Sequence, residues 1–445
     1  MKDENTKNIY FYTLGCKVNQ YETEAMMEIF CNAGYTVVDG PEDAQVIVVN
    51  SCTVTANSDQ KTRQAVRRFK RGNSDAVVAL VGCMPQASPE KACKLLEADI
   101  ITGNTDHKKL LNLVERKLKS RRENDNADSD PIWEIDEHEK GELFENVSIT
   151  NFEGRTRAFI KIQDGCNRYC SYCIIPTSRG RSRSRSLESL SEELDKIYKA
   201  GYKEVVLVGI NFCCYGLDIG KTFVDAIELA CSKGFDRVRI GSLEYDNISD
   251  EAIARLSRLP NFCPQFHMSL QSGSNTTLKR MHRHYTAEEY EALCNKLRAA
   301  FKDTTITTDI IAGFPMETEE EFQESIDFAK KIGFEKIHAF PYSLRPGTKA
   351  AEMKPQVPGN IKSERNHRMI EVANELRKDF FERQIGKTVN VLCEQFDKKA
   401  GTESGYTENY TPVYFESEKS LAGEIVRVKI TGINMEKDSC VGEIC

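Results

Sequence analysis

Cys166, Cys170 and Cys173 lie in the run Asp164-Gly165-Cys166-Asn167-Arg168-Tyr169-Cys170-Ser171-Tyr172-Cys173, a C-x3-C-x2-C spacing. Three thiolates this close can hold three corners of an iron–sulfur cubane and leave one iron without a protein ligand. An open iron can bind a small molecule, whereas a fully ligated cluster normally only carries electrons. Zinc is the competing occupant, because thiolates suit it as well. A structural zinc site takes four ligands, usually two C-x2-C pairs or a pair with histidines, and none of the seven histidines lies near this run.

A second set is scattered along the chain. Cys16 occurs in Thr13-Leu14-Gly15-Cys16-Lys17, Cys52 in Asn50-Ser51-Cys52-Thr53, and Cys83 in Val81-Gly82-Cys83-Met84-Pro85. Each follows a short apolar run that reads as a strand: 8–14, 46–50 and 76–81. In a parallel sheet the ends of such strands share one edge, so three thiols distant in sequence converge. The alternative is three unrelated loop cysteines.

The elements that must position these groups follow from the apolar pattern. Residues 1–117 alternate strands with amphipathic helices at 21–32 and 58–71, which predicts a three-layer α/β domain with a mainly parallel sheet. Residues 118–146, rich in charge and containing Pro131, read as an acidic, partly mobile linker. Over 147–383 the alternation returns, with strands at 158–163, 204–210, 237–241, 265–270, 305–312 and 336–342. Helices at 187–200, 222–233, 250–259, 287–301 and 318–332 separate them. Six such units predict a partial (β/α)6 barrel, open on one side, where eight would close it. Chemistry in parallel barrels collects at the carboxyl ends of strands, and the 166–173 cysteines directly follow the first of them. Residues 384–445 hold short strands at 387–394, 412–416, 424–431 and 439–444, which predicts a small antiparallel β-barrel.

Bulk composition bounds the rest. The 445 residues are 40% hydrophobic and 29% charged, an ordinary soluble composition with no run approaching the roughly 20 apolar residues of a membrane helix. The polar start Met1-Lys2-Asp3-Glu4-Asn5 lacks a signal-peptide core, so a cytoplasmic location is expected, with the 16 cysteines reduced. Cys31, Cys93, Cys231 and Cys294 fall on predicted helices and read as packing residues. The net charge of −7 disfavours nucleic acid, but Arg155, Arg157, Lys161, Arg168, Arg179, Arg181, Arg183 and Arg185 crowd around the cysteine loop. Such a patch can bind phosphates on an acidic protein, or be a solvated arginine run.

The run Gly165-Cys166-Asn167 through Cys173, with Ile174-Ile175-Pro176 and Arg179-Gly180-Arg181 after it, resembles the signature of radical S-adenosylmethionine enzymes, most of all the methylthiotransferases. The segments around Cys16, Cys52 and Cys83 resemble the amino-terminal domain of that family, and the tail resembles its TRAM domain, an RNA-binding barrel. The resemblance implies two [4Fe-4S] clusters. The one on Cys166, Cys170 and Cys173 would bind S-adenosylmethionine and cleave it to a 5′-deoxyadenosyl radical. The one on Cys16, Cys52 and Cys83 would carry sulfur, methylated by a second S-adenosylmethionine. Candidate cofactor-binding residues are Tyr172, which would stack on adenine or simply pack, and the strand-end residues Gly209, Ser242, Glu244, Gln271, Ser272, Asp309 and Gly313, whose alternative is a satisfied polar rim.

Within the family, Gly15-Cys16-Lys17-Val18-Asn19-Gln20-Tyr21-Glu22 and Gly180-Arg181-Ser182-Arg183-Ser184-Arg185 look like the branch acting on N6-threonylcarbamoyladenosine beside the tRNA anticodon. Sister branches act on isopentenyladenosine in tRNA or on a ribosomal protein. A threonylcarbamoyl group carries a carboxylate, for which Arg181, Arg183, Arg185 and Arg345 are candidate partners. The implied partners are a tRNA anticodon stem-loop, a reductant protein and a sulfur donor, with no membrane. Phe212-Cys213-Cys214 departs from the family pattern, and its two thiols either bind sulfur or are inert. A zinc-stabilised RNA-binding module remains the non-catalytic alternative.

Overall fold

Short Val- and Ile-rich runs build the first sheet. In the computed structural model, which describes residues 7–123, 130–150, 152, 155–245 and 247–445, these runs are β1 (Asn8–Thr13), β2 (Thr36–Val37), β3 (Val46–Ser51), β4 (Val77–Gly82), β5 (Ile100–Thr102) and β6 (Ile132–Glu134). They pair in parallel in the order β2-β1-β3-β4-β5-β6. Every residue of β3 and β4 is buried, as a sheet covered on both faces requires. Helices Lys17–Asn32 and His107–Arg122 bury Met26, Phe30, Leu110 and Val114 against one face. Helix Ala56–Gly72 buries Ala65, Val66 and Phe69 against the other. Each such large apolar side chain contributes roughly 1.5–3 kcal/mol when fully buried. The strand order reverses between β1 and β3, and a doubly wound sheet opens its crevice there, outside the carboxyl ends.

Three strands were expected in this sheet and six are present; β2, β5 and β6 are only two or three residues long. Within 118–146, expected to be a linker, the helix runs on to Arg122 and Ile132–Glu134 is the sheet's edge strand. Leu118 and Ile132 are drawn in because they pack on the core of the first sheet. Positions 124–129 lie outside the described residues.

The chain divides into two compact units: Met1–Thr150, Gln163–Arg185 and Ser343–Ala351 form one, and Asn151–Ile162, Ser186–Tyr342 and Glu352–Cys445 form the other. The cysteine loop after the barrel's first strand therefore groups with the amino-terminal sheet.

The barrel strands are β7 (Arg157–Asp164), β8 (Arg183–Ser184), β9 (Glu204–Gly209), β10 (Arg237–Ile240), β11 (Ser242–Leu243), β12 (Gln265–Met268), β13 (Thr305–Ala312) and β14 (Lys336–Pro341). They form sheets in the orders β10-β9-β7-β8 and β11-β12-β13-β14. Only Gly241 separates β10 from β11, so the two sheets continue into one open, six-step arc, with β8 an added antiparallel strand on β7. Helices Leu187–Lys199, Phe223–Cys231, Asp250–Leu256, Ala287–Ala300 and Glu319–Ile332 form the crossovers. Capping boxes at Thr222/Asp225, Thr286/Glu289 and Thr318/Glu321 start three of them.

Helix Gly359–Glu382, which the sequence reading lacked, ends in Phe380 and Phe381, buried in the core of the last barrel. That barrel closes as β15 (Thr388–Asp397), β16 (Thr402–Tyr406), β17 (Pro412–Glu416), β19 (Ser439–Ile444) and β18 (Ile425–Asn434). Its pairs are antiparallel apart from β17 with β19, which is parallel and corrects the purely antiparallel expectation. Among the described residues, no helix is long and apolar enough to cross a membrane.

Candidate functional site

The ends of β1, β3 and β4 are laced together by side-chain amides. Asn19 Nδ2 donates to the carbonyls of Ser51 (2.9 Å) and Leu14 (3.2 Å). Asn50 Nδ2 donates to the Asn19 carbonyl at 3.0 Å. Ser51 Oγ donates to the Val81 carbonyl at 2.6 Å and accepts from the Met84 amide at 3.1 Å. Cys16, Cys52 and Cys83 stand immediately beyond this lacing, Cys16 exposed and the other two buried. Gly82 turns the chain into Cys83 at φ +96°; a Cβ there would lie 2.5 Å from Asn50 Oδ1 and 2.8 Å from the Ser51 carbonyl, so only glycine fits.

The Cys166–Cys173 loop is held just as closely. Gly165 has φ +69°, and a Cβ on it would meet the Arg181 carbonyl at 2.0 Å. The Cys166 amide donates to the Gly180 carbonyl (3.1 Å), and the Ser182 amide to Asn167 Oδ1 (3.1 Å). All three cysteines of the loop are half-buried.

Two buried arginines join these loops within the first unit. Arg179, 1% exposed, donates from Nη1 to Glu22 Oε1 (2.7 Å) and Asp164 Oδ1 (3.2 Å), and from Nη2 to Glu22 Oε2 (2.9 Å) and Asn19 Oδ1 (3.0 Å). The Cys16 thiol donates to that same Asn19 oxygen at 3.3 Å. Burial pushes the Cys83 thiol up to about 12, against the opposing charge of Arg179; Glu22, Cys52 and Cys16 add to the rise. Arg345, 3% exposed, donates to Asp59 Oδ2 (2.7 Å) and to the hydroxyl of Thr53 (2.8 Å), the residue after Cys52. Around it, Ser343 Oγ accepts from the Ala56 amide (2.9 Å) and the Ala350 amide donates to the Ser171 carbonyl (2.7 Å). Segment Ser343–Ala351 thus ties the loop after Cys52 to the loop between Cys170 and Cys173.

Do these residues suit iron–sulfur clusters? Among the described residues, no three His, Cys, Asp or Glu side chains are gathered as the ligands of a single ion would be. A cubane asks for something else, since each thiolate binds a different iron and the sulfurs bracket the group. The donor set is soft, and Arg179 Nε, like Nε of Arg183, Arg280 and Arg345, is buried with no hydrogen-bond partner among the described residues. A buried donor without an acceptor costs about 1–3 kcal/mol; an electron-rich sulfur beside it would remove that cost. The residues fit the group.

The strand-end candidates fall in two places. Tyr172 is half-buried in the cysteine loop of the first unit. In the second unit a polar network crosses the ends of β11, β12 and β13. Asp309 Oδ2 accepts from His267 Nε2 and Ser269 Oγ, both at 3.2 Å, and the Gln271 amide donates to the Asp309 carbonyl at 2.8 Å. Burial works to raise the Asp309 carboxyl, but the hydrogen bond and charge of His267 outweigh it and hold the group below its ordinary value. Arg283 Nη2 joins Glu244 to the Ser269 carbonyl. Gly209 ends β9 and Ser242 is exposed on β11. Ser272 Oγ lies 3.0 Å from Ser325 Oγ, and the Gly313 amide donates to Glu317.

Of the four arginines offered for a substrate carboxylate, Arg181 alone is exposed. Arg183 donates to the Arg179 carbonyl (2.7 Å) and pairs with Asp164 and Glu142; Arg185 is buried, and Arg345 is engaged by Asp59. Cys213 is buried and donates to the Glu244 carbonyl at 3.1 Å, a packing role. The sequence reading assigned no role to Asn19, Asp59, His267 or Arg283, and placed Arg179 in a phosphate-binding or solvated arginine patch, whereas it is buried and ion-paired. Arg179, Asn19 and His267 carried a signal, the first two inside the cysteine motifs and the third in the strand-end run His267–Gly273.

Comparison with known proteins defines the class. Residues 160–329 match the radical SAM superfamily, 8–103 an uncharacterized protein family, UPF0004, and 382–435 the TRAM domain. This is a radical S-adenosylmethionine enzyme, a class that implies S-adenosylmethionine and a [4Fe-4S] cluster. The threonylcarbamoyladenosine tRNA methylthiotransferase MtaB of Bacillus subtilis is 40% identical, over 95% of this chain and 93% of its own length. The MtaB of Thermotoga maritima is 37% identical over 97% and 96%. A tRNA-2-methylthio-N(6)-dimethylallyladenosine synthase of Pelotomaculum thermopropionicum is 34% identical over 96% of each. The chain belongs to the radical S-adenosylmethionine tRNA methylthiotransferase family, on its threonylcarbamoyladenosine (MtaB) branch. In fold it is similar to TsrM, a radical S-adenosylmethionine methyltransferase of Kitasatospora setae solved with cobalamin and a [4Fe-4S] cluster. That likeness has a TM-score of 0.55 over 78% of this chain and 77% of that one, at 15% identity.

Proposed function

We propose that the chain replaces the hydrogen on carbon 2 of N6-threonylcarbamoyladenosine, at position 37 of a tRNA, with a methylthio group. Two S-adenosylmethionine molecules and two [4Fe-4S] clusters are used, one cluster on Cys166, Cys170 and Cys173 and the other on Cys16, Cys52 and Cys83. The observation that carries this reading is that both cysteine triads belong to one compact unit and are joined through Arg179 and Arg345. When bound, the first cluster supplies the electron that cleaves S-adenosylmethionine, and the second holds the sulfur to be methylated and transferred. The chain's own residues position these groups. The Gly165 turn and the Gly180 carbonyl fix the radical loop, and the Asn19–Asn50–Ser51 lacing fixes the sheet edge. Tyr172, Gly209, Ser242, Glu244, Gln271 and Asp309 are assigned to S-adenosylmethionine. Asp309, kept ionised beside His267, is suited to accept hydrogen bonds from hydroxyl or amino groups.

The MtaB relatives, at 37–40% identity against 34% for the dimethylallyladenosine synthase quoted above, favour the threonylcarbamoyl substrate. Arg181, exposed on the radical loop, is the assigned partner of its carboxylate. The closed barrel β15–β19 is assigned to the tRNA, in the cytoplasm, with a reductant protein and a sulfur donor as further partners.

Anaerobic protein should carry about eight irons per chain. Cys52→Ala should retain about half of them and still form 5′-deoxyadenosine, without a methylthio product; Cys170→Ala should abolish 5′-deoxyadenosine. Methylthio product from Cys52→Ala would overturn the two-cluster reading. Modification of isopentenyladenosine in place of threonylcarbamoyladenosine would overturn the substrate.

A further inference from the structure

We infer that Arg179 is a positioning residue for the Cys16, Cys52 and Cys83 centre: its fixed charge and its spare Nε–H stabilise the electron-rich sulfur held there, from the loop that carries the other cysteine triad. The inference rests on the reading that these three thiols hold a cluster.

Three observations carry it. First, the guanidinium is over-supplied with constraint for a plain ion pair. Glu22 takes a donor on each carboxylate oxygen, Asn19 takes one and Asp164 takes one, so its plane is fixed. Second, Nε is the one nitrogen left over, buried and without an acceptor among the described residues. Nε of Arg183, Arg280 and Arg345 is left in the same state; what sets Arg179 apart is that it shares Asn19 Oδ1 with the Cys16 thiol, which puts a sulfur acceptor in its neighbourhood. Third, Asn19 Oδ1 is shared between Arg179 and the Cys16 thiol. Arg179 thereby grips the same amide that fixes the sheet edge through the Ser51 and Leu14 carbonyls.

The local charge is nearly balanced without the sulfurs. Glu22 offsets Arg179, while Asp164 is shared between Arg179 and Arg183. An added electron on the centre therefore feels Arg179 as attraction and Glu22 as repulsion, both strengthened by burial.

The test uses the full chain with Cys166, Cys170 and Cys173 replaced by alanine, so that the other centre is seen alone. Iron analysis and an anaerobic redox titration followed by electron paramagnetic resonance are the readouts. The parent should hold about four irons; if it holds none, the cluster reading itself fails and the inference with it. With iron present, Arg179→Gln should lower the midpoint potential, Glu22→Gln should raise it, and Arg179→Lys, which keeps the charge but loses the Nε–H, should fall between Arg179→Gln and the parent. Shifts of opposite sign do not arise from loosened packing. If Arg179→Gln does not hold iron, retention by Arg179→Lys together with the upward shift of Glu22→Gln supports the inference. An unchanged potential in Glu22→Gln, or shifts of the same sign in Glu22→Gln and Arg179→Gln, overturns it.

Discussion

Arg345→Met should loosen one specific tie and leave the sheets intact. Arg345 and Asp59 are 3% and 6% exposed and pair at 2.7 Å, with Thr53 Oγ1 donating to the other Asp59 oxygen at 2.8 Å. Methionine keeps most of the side-chain volume but strands a buried carboxylate, and removing one partner of a buried pair costs about 3–5 kcal/mol. At about 1.4 kcal/mol per factor of ten, segment Ser343–Ala351 should open on the order of 10²–10³ times more often. Hydrogen exchange followed by mass spectrometry reads this directly. Peptides covering the Ala350 and Ala56 amides, which donate to the Ser171 carbonyl and to Ser343 Oγ, should exchange faster. Peptides covering the buried strand Val77–Gly82 should not change. Adding Asp59→Leu removes the stranded charge and should restore much of the protection. Unchanged exchange at Ala350 in the single variant, or a double variant as loose as the two single effects summed, would refute the reasoning.

Glu204→Gln should reshape acid stability. Burial works to raise the Glu204 carboxyl, but Arg239, Arg157 and Arg237 outweigh it and hold it below its ordinary 4.5, so its stabilisation is present above about pH 4.5 and lost as pH falls through the lower folded value. The variant should be less stable at pH 7 and lose less on acidification, checked by urea melts across pH 3–7. Gly82→Ala forces a left-handed turn and a 2.5 Å approach to Asn50 Oδ1, so it should cost about 1–3 kcal/mol and lower iron retention at the sheet edge, measured by melting and iron analysis. Tyr410 stacks on Tyr406 at 4.3 Å and lies 4.7 Å from the Arg239 guanidinium. Tyr410→Leu should lose about 1–3 kcal/mol of stability in a urea melt at constant m-value.

What could be read in the chain was what is local or periodic. The C-x3-C-x2-C run is contiguous, and the apolar runs before Cys16, Cys52 and Cys83 announce parallel strands whose ends must share an edge. Partners distant in sequence left no trace: Arg345 meets a carboxylate 286 positions away, and Arg179 one 157 positions away. A basic run also looks the same whether it is solvated or buried, and Arg183 and Arg185 prove buried beside exposed Arg181. Strand β16, Thr-Glu-Ser-Gly-Tyr, has little strand propensity of its own and is held by its neighbours in the closed barrel; its buried Glu403 accepts the Leu421 amide at 2.7 Å. The late helix Gly359–Glu382 mixes charge around its length and hides its apolar side.

The grouping of Gln163–Arg185 and Ser343–Ala351 with the amino-terminal sheet bears on heredity. The guanidiniums of Arg179 and Arg345 find their counter-charges on Glu22 and Asp59, 157 and 286 positions upstream. A recombination event that exchanged only the radical half would strand four buried charges at once. These two parts are therefore bound to travel together through evolution, and the closing barrel is tied to the rest of the second unit in the same way, since buried Arg237 and Arg239 donate to its Tyr406, Asn390, Thr407 and Glu408 carbonyls.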